Sequence, residues 1–178
     1  MKIVKYFLSL SLLATIFFSC TSEEKKLSQK IEAEEKGLIN DTTKMVNMEK
    51  ALVVIQDYLK YTEQFPSDTM SANYYFRAAD LCVGIKDYNR SVELLDKLMS
   101  KFPEHRLYSK ALFLQAFVYE NNIRDVEKAK AKYSEFIQKF PNSPMVEGAK
   151  GSLYQLEQGL SDEDLVKSFM QKQDTSAN

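Results

Sequence analysis

Apolar residues recur at spacings of three and four along most of the chain, and the pattern restarts after each of three Phe-Pro pairs. Phe65-Pro66, Phe102-Pro103 and Phe140-Pro141 stand 37 and 38 residues apart. Spacings of three and four place apolar side chains on one face of an α-helix. Proline disfavours helical angles in the residue before it, so each pair predicts the end of a helix. A fixed period in the range of about 20–50 residues is typical of a repeat architecture.

The repeating pattern predicts helices in pairs. One long helix is expected at residues 41–64, and two units of similar plan follow at residues 66–102 and 103–140. Each unit holds two helices joined by a short break, and such helices lie antiparallel. Asn121-Asn122 falls in the break of the second unit and is expected to carry the one extra residue of the longer period. No stretch shows the alternation of a strand.

Further segments complete the predicted organisation. A third unit begins at Phe140, and a last helix with its own apolar face is expected at about residues 162–172. The sequence therefore predicts an all-α domain over residues 41–172 and a disordered tail at residues 173–178. Residues 20–40 are polar and charged, with too few apolar side chains to form a core, and this composition predicts a flexible tether with at most a transient helix.

The first 19 residues have the order typical of a secretory signal peptide. Lys2 and Lys5 precede an apolar run at residues 6–18, and Ser19 supplies the small residue of a cleavage site. The alternative is a membrane-spanning helix, but the run is shorter than the roughly 20 apolar residues that such a helix needs. Residues 1–19 are therefore predicted to be a signal peptide.

Cys20 follows this segment at once. Residues 17–20 resemble the lipobox of bacterial lipoproteins, which implies that a lipid such as palmitate is attached to Cys20 and holds the protein at a membrane. An ordinary cleaved signal is the alternative. Thr21, rather than Asp, follows the cysteine, and the resemblance then favours the outer membrane. The second cysteine of the chain, Cys82, lies in an apolar helical stretch and is expected to be a buried small side chain.

Charge and candidate chemistry exclude several classes of function. The chain has 24 basic and 25 acidic residues, without the basic face that nucleic acid requires. His105, the one histidine, lies in a turn and is expected to be solvated. Zinc-ligand spacing, a phosphate-binding glycine loop and a calcium loop are absent from the sequence. The sequence thus predicts a protein without enzymatic activity, cofactor or metal.

The small and aromatic residues of the units match a known family pattern. That pattern has a small residue in the first helix, then a small residue, an aromatic and a proline through and beyond the second. The four slots hold Ala79, Ser91, Leu95 and Pro103 in one unit, and Ala116, Ala129, Tyr133 and Pro141 in the next. The units resemble tetratricopeptide repeats (TPR), although their period is longer and the chain has no tryptophan. Units ending in an aromatic and proline look most like the BamD/YbgF type of envelope lipoprotein.

The resemblance implies a fold, a binding surface and a role. It implies a short right-handed solenoid of about 2.5–3 helical hairpins with capping helices. The first helix of each hairpin would line a concave face that binds a partner. The residues expected on that face are Asn73, Phe76, Asp80, Lys110, Phe113, Phe117, Glu120 and Gln155. Phe76 and Phe113 occupy the same slot and would anchor a partner segment, whereas the alternative for Phe113 and Phe117 is a place in the core.

The resulting functional hypothesis is a lipid-anchored scaffold of the bacterial envelope. It would bind another envelope protein, in the assembly of an outer-membrane complex, and its anchor would be the lipid at Cys20. The alternative is a structural envelope protein that contacts peptidoglycan or another glycan.

Overall fold

The computed structural model describes residues 23–39 and 46–159. Within these ranges the regular elements are helices, apart from one isolated antiparallel bridge between Ile39 and Val46. The helices are α1 (23–35), α2 (Met48–Gln64), α3 (Thr69–Gly84), α4 (Tyr88–Lys101), α5 (Tyr108–Val118), α6 (Val126–Lys139) and α7 (Val146–Gln158), with a π-helical segment at Tyr119–Ile123. The predicted all-α class is confirmed. None of the described helices is long and apolar enough to cross a membrane.

The chain forms two compact units. Unit 1 extends to Lys86 and contains α1, α2 and α3, whereas unit 2 starts at Asp87 and contains α4 to α7. Four predicted features lie outside the described residues: the signal peptide at 1–19, Cys20, the last helix at 162–172 and the tail at 173–178.

Residues 23–35 form helix α1, so the prediction of a flexible tether over residues 20–40 is wrong for this segment. Leu27 and Ile31, one helical turn apart, are buried. Lys30 donates to the Asp57 carboxylate of α2 at 2.8 Å. α1 thus gives α2 a preceding partner helix, and the folded domain begins well before residue 41.

Helix α2 begins at Met48, later than the predicted start at Asp41. Asn47 caps it, because its side-chain oxygen accepts the Lys50 backbone N–H at 3.0 Å. The Asn47 N–H donates to the Leu38 carbonyl at 2.7 Å, and the adjacent Val46 forms the bridge with Ile39. These contacts hold Val46 and Asn47 outside the helix, while Asp41 itself lies outside the described residues.

The three Phe-Pro pairs adopt one backbone geometry. Phe65, Phe102 and Phe140 have φ between −125° and −130° and ψ between 55° and 60°. Each phenylalanine N–H donates to the carbonyl four residues earlier, and each phenylalanine carbonyl accepts from the residue three positions later. The prediction that these pairs end helices is confirmed.

The residue three positions after each of these phenylalanines caps the turn with its side chain. The acceptors are Asp68, His105 and Ser143, and each takes the backbone N–H two residues further on, at 2.9, 3.2 and 3.3 Å. His105 is therefore a turn-capping acceptor through Nδ1, not merely a solvated turn residue. Burial, followed by the nearby charge of Arg106, lowers its pKa below the usual range.

The extra residue of the second period is taken up by the π-helical segment. Ala79 and Ala116 are 37 residues apart, whereas Lys86 and Arg124, which both have left-handed φ near 65°, are 38 apart. The insertion therefore lies between Ala116 and Arg124, where a π-helical turn accommodates one more residue than an α-helical turn. This segment, Tyr119–Ile123, contains Asn121-Asn122, the predicted position of the extra residue.

Helix α7 has a polar outward face. Its one buried side chain is Ala149, and α7 packs against α6. At the slot where α3 and α5 bury Ala79 and Ala116 completely, α7 has Tyr154, which is 56% exposed. Lys150, one turn earlier on the same face, is also exposed.

Candidate functional site

The predicted binding residues are divided between the two units. Asn73, Phe76 and Asp80 lie on α3 in unit 1, and the remaining five lie in unit 2. Of the unit 2 residues, Lys110, Phe113 and Phe117 are on α5, Glu120 is in the π-helical segment and Gln155 is on α7. Three of the eight side chains, those of Asp80, Lys110 and Phe117, are exposed; the others are partly buried. Each unit has its own candidate surface.

Phe113 packs inside unit 2. Its ring makes edge-to-face contacts with the rings of Tyr133 and Phe136, at centroid distances of 5.8 and 5.4 Å. Such pairs add to the stability that burial provides. The tip of the ring also reaches Gly148 of α7, where a Cβ would lie 4.0 Å away. This geometry favours the core interpretation of Phe113 over that of a freely exposed anchor.

Phe117 has a different environment. It lies one turn after Phe113 on α5, and its side chain is 43% exposed. α5 is apolar on nearly all sides, because Leu112 and Ala116 are fully buried while the partly exposed Leu114 lies on the other side. A helix that is apolar all round is normally buried all round. α5 therefore presents apolar surface that the described part of unit 2 leaves uncovered.

We define the α5 strip as Lys110, Leu114 and Phe117. Spacings of four and three put these side chains on one side of the helix. The strip combines a cation with two apolar side chains, and neither Lys110 nor Phe117 has a hydrogen bond or ion pair from its side chain within the described ranges. It is suited to contact with another protein.

Glu120 has a structural role in unit 2. Its carboxylate accepts the Tyr133 hydroxyl at 2.6 Å and the Asn121 amide at 3.2 Å. Burial, then the hydrogen bond to Glu120, raises the pKa of Tyr133 above its usual range. Because this carboxylate holds a buried tyrosine, Glu120 is a packing residue rather than a free contact for a partner.

In unit 1, Asp80 lines a cleft of about 620 Å³. The walls come from the end of α3 and from the chain on either side of the Ile39–Val46 bridge. Sequence reasoning found Asp80 but missed the opposite wall, because residues 20–40 read as a tether. Asn73, by contrast, donates to the Thr69 carbonyl of its own helix at 3.2 Å.

A buried polar cluster joins α1 to α2. Burial would raise the pKa of Asp57, but hydrogen bonds with Glu34 and Lys30 lower it below its usual range. The same bond to Asp57 raises the pKa of Glu34. Lys30 pairs with both carboxylates, at 2.8 Å from Asp57 and 3.5 Å from Glu34, so the cluster links α1 to α2. In the described ranges, no group of three His, Cys, Asp or Glu side chains is placed to hold a metal ion.

These observations define an all-α protein of helical hairpins with uncovered contact surfaces. Residues 110–143 match the family model described as tetratricopeptide repeat. The match starts on α5, includes the π-helical segment and α6, and ends in the turn after Phe140. No curated protein matches the chain. The chain is thus TPR-like over this repeat, and TPR repeats generally mediate protein–protein interactions and are typically not enzymes.

Proposed function

We propose that the protein is a lipid-anchored scaffold of the bacterial cell envelope that binds another protein through the α5 strip. The uncovered Phe117 on a largely apolar helix, inside the matched repeat, is the observation that carries the binding part. Removing apolar surface from water favours protein–protein association. The signal-like residues 1–19, Cys20 and the Phe-Pro units support a place at the outer membrane and a role in assembling a complex there.

Helix α1 adds a geometric consequence to the anchor. The first helical residue described is Glu23, three residues after Cys20. A fully extended chain covers at most about 3.6 Å per residue. A lipid on Cys20 would therefore hold the start of α1 within about 11 Å of the acylated residue. Under this proposal the repeat domain works close to the membrane surface rather than at the end of a long tether.

The binding part is tested by photo-crosslinking in bacterial cells. A photoreactive phenylalanine analogue replaces Phe117 in one variant and Tyr154 in another; both are exposed aromatics of unit 2. We expect the analogue at position 117 to give a discrete crosslinked protein. This product should be lost when Leu114→Ala is added, and the analogue at position 154 should give no such product. Equal products from both positions, or none from 117, would contradict the proposed strip.

The anchor is tested by metabolic labelling with a palmitate analogue. Cys82→Ala is the matched control, since Cys82 is fully buried and is the chain's other cysteine. We expect Cys20→Ala to abolish labelling and release the protein from membranes, while Cys82→Ala retains both. Labelling that survives Cys20→Ala would refute the anchor and leave the scaffold role to be judged by crosslinking.

A further inference from the structure

The cleft at one end of unit 1 has apolar walls and an acidic edge. Leu38, Ile39 and Val46 face Leu81 and Val83 of α3 across it. Ile39 is 56% exposed. The end of α3 comes close to the opposite wall, since a Cβ on Gly84 would lie 3.1 Å from a Val46 methyl group. A volume of about 620 Å³ is ample for one long side chain together with part of its backbone.

Asp80 is an uncompensated carboxylate in this cleft. Arg77, one turn earlier on α3, pairs with Glu35 instead, and Glu35 also accepts the Tyr58 hydroxyl at 2.6 Å. Within the described residues Asp80 has no ion pair or hydrogen bond from its side chain, and no Lys, Arg or His lines the cleft. Partial burial raises the pKa of Asp80 above its usual range, while its side chain remains exposed to solvent.

The helix ends add to the negative potential. α1 ends at Glu35 and α3 ends at Gly84, and both ends border the cleft. The carbonyl end of a helix carries partial negative charge and favours a cation. Two helix C-termini and the Asp80 carboxylate thus face a space with hydrocarbon walls.

We propose that this cleft binds an arginine or lysine side chain of a partner polypeptide. The methylene stem packs against Leu38, Ile39 and Leu81, and the charged group pairs with Asp80, an arrangement that long basic side chains commonly adopt. A metal ion does not fit this description, because the described part of the chain offers no cluster of three ligating side chains. The cleft lies in unit 1, whereas the α5 strip lies in unit 2. The two proposals therefore rest on different residues, and an experiment that refutes one leaves the other intact.

The test uses the full-length chain in detergent micelles and two short peptides as probes. The peptides are acetyl-Ala-Arg-Val-amide and the neutral acetyl-Ala-Gln-Val-amide, titrated while amide NMR signals are followed. We expect the arginine peptide to shift the signals of residues 37–39, 46 and 80–84, and the glutamine peptide to bind about tenfold more weakly. Binding of the arginine peptide should also weaken as the pH falls through the raised pKa of Asp80.

Two variants decide the role of Asp80. Asp80→Asn keeps the shape of the side chain and should weaken arginine-peptide binding about tenfold, whereas Glu63→Gln removes a negative charge from the exposed side of α2 and should leave it unchanged. Equal binding by both peptides, or unchanged binding by Asp80→Asn, would overturn the proposal. The proposal would also be overturned if the arginine peptide bound only to the Lys44→Ala variant. In that case Lys44 of the same chain, and not a partner side chain, would occupy the cleft.

Discussion

In unit 1, helices are joined by tyrosine hydroxyls and carboxylates, whereas the core of unit 2 is built around phenylalanine rings. Tyr58 and Tyr61 donate to Glu35 and Asp68, and both rings contact Tyr74 at centroid distances of 4.9 and 4.7 Å. In unit 2, Phe136 lies 5.4 Å from Phe113 and 5.6 Å from Phe140, and the hydroxyl of the neighbouring Tyr133 donates to Glu120.

The polar contacts between the helices of unit 1 explain how α1 can pack against α2 with little apolar surface. Burial of Leu27 and Ile31 supplies a hydrophobic contact, and polar side chains from α1 then pair with the buried Asp57 of α2 and the exposed Arg77 of α3. Hydrogen bonds to charged groups contribute about 1.5–3 kcal/mol each when well made. The apolar contacts of unit 2 need no such pairing, so the two units should respond differently to substitution.

The largest effect is expected in the core of unit 2. Phe136 is fully buried between two other aromatic rings, and Phe136→Ala should lower the free energy of unfolding by about 3–5 kcal/mol. Urea denaturation followed by circular dichroism measures the change. Phe117→Ala is the control on the same unit and should cost less than about 1 kcal/mol. A large loss from Phe117→Ala would place that ring in the core and remove the basis for the α5 strip.

In unit 1, the corresponding test concerns whether α1 is part of the fold. Ile31 is 1% exposed, so Ile31→Ala should cost about 2 kcal/mol or more and should reduce hydrogen-exchange protection of the α1 amides. The neighbouring Glu32 is exposed, and Glu32→Ala should leave protection unchanged. If Ile31→Ala and Glu32→Ala have the same effect on stability and on protection of α1, then α1 does not pack on α2. The conclusion that the folded domain lies close to Cys20 would then be wrong.

The repeat features that depend on local chemistry could be predicted from the sequence. Proline after Phe65, Phe102 and Phe140 stops each helix through the backbone of one residue, so no distant contact is needed to foresee it. The buried environment of Cys82 followed from its apolar neighbours and is confirmed. The extra residue near Asn121 was foreseen from the period alone.

What the sequence did not predict depends on contacts between distant segments. α1 carries just two strongly buried apolar residues, and its remaining support comes from side chains more than 20 positions away, such as Asp57 and Tyr58. The roles of Phe113 and Phe117 were left open because helical spacing alone does not say which side a neighbouring helix covers. The wall of the cleft beside Asp80 was missed because residues 20–40 were predicted to be a flexible tether.

A smaller effect compares one hydroxyl from each unit. Tyr58→Phe removes the bond to Glu35, which keeps Arg77 as a partner, so the cost should be about 1 kcal/mol. Tyr133→Phe leaves Glu120 with the neutral Asn121 amide alone and should cost about 2 kcal/mol. Urea denaturation of both variants measures the two losses. A greater loss from Tyr58→Phe than from Tyr133→Phe would mean that the ion pair between Glu35 and Arg77 does not compensate for the lost hydroxyl.

The smallest expected effect is a pH dependence of stability that comes from one of the three turn-capping side chains. These are Asp68 in unit 1 and His105 and Ser143 in unit 2. Neutral Nδ1 of His105 accepts the Leu107 N–H, and the pKa of His105 is lowered in the folded protein. The unfolded chain therefore binds the proton more tightly, so stability is complete above the ordinary pKa of about 6.5 and is lost as the pH falls below it. The loss should stay below about 1 kcal/mol, as for one weak cap.

Melting temperatures at pH 7.5 and 5.5 measure this dependence. His105→Asn keeps an acceptor in the turn without a titrating ring, so its melting temperature should change less between the two pH values than that of the wild type. Ser143→Ala removes an acceptor that does not titrate and should lower the melting temperature equally at both. If His105→Asn keeps the pH dependence of the wild-type melting temperature, that dependence comes from other titrating groups. The turn at His105 would then not differ from the other two turns in its response to pH.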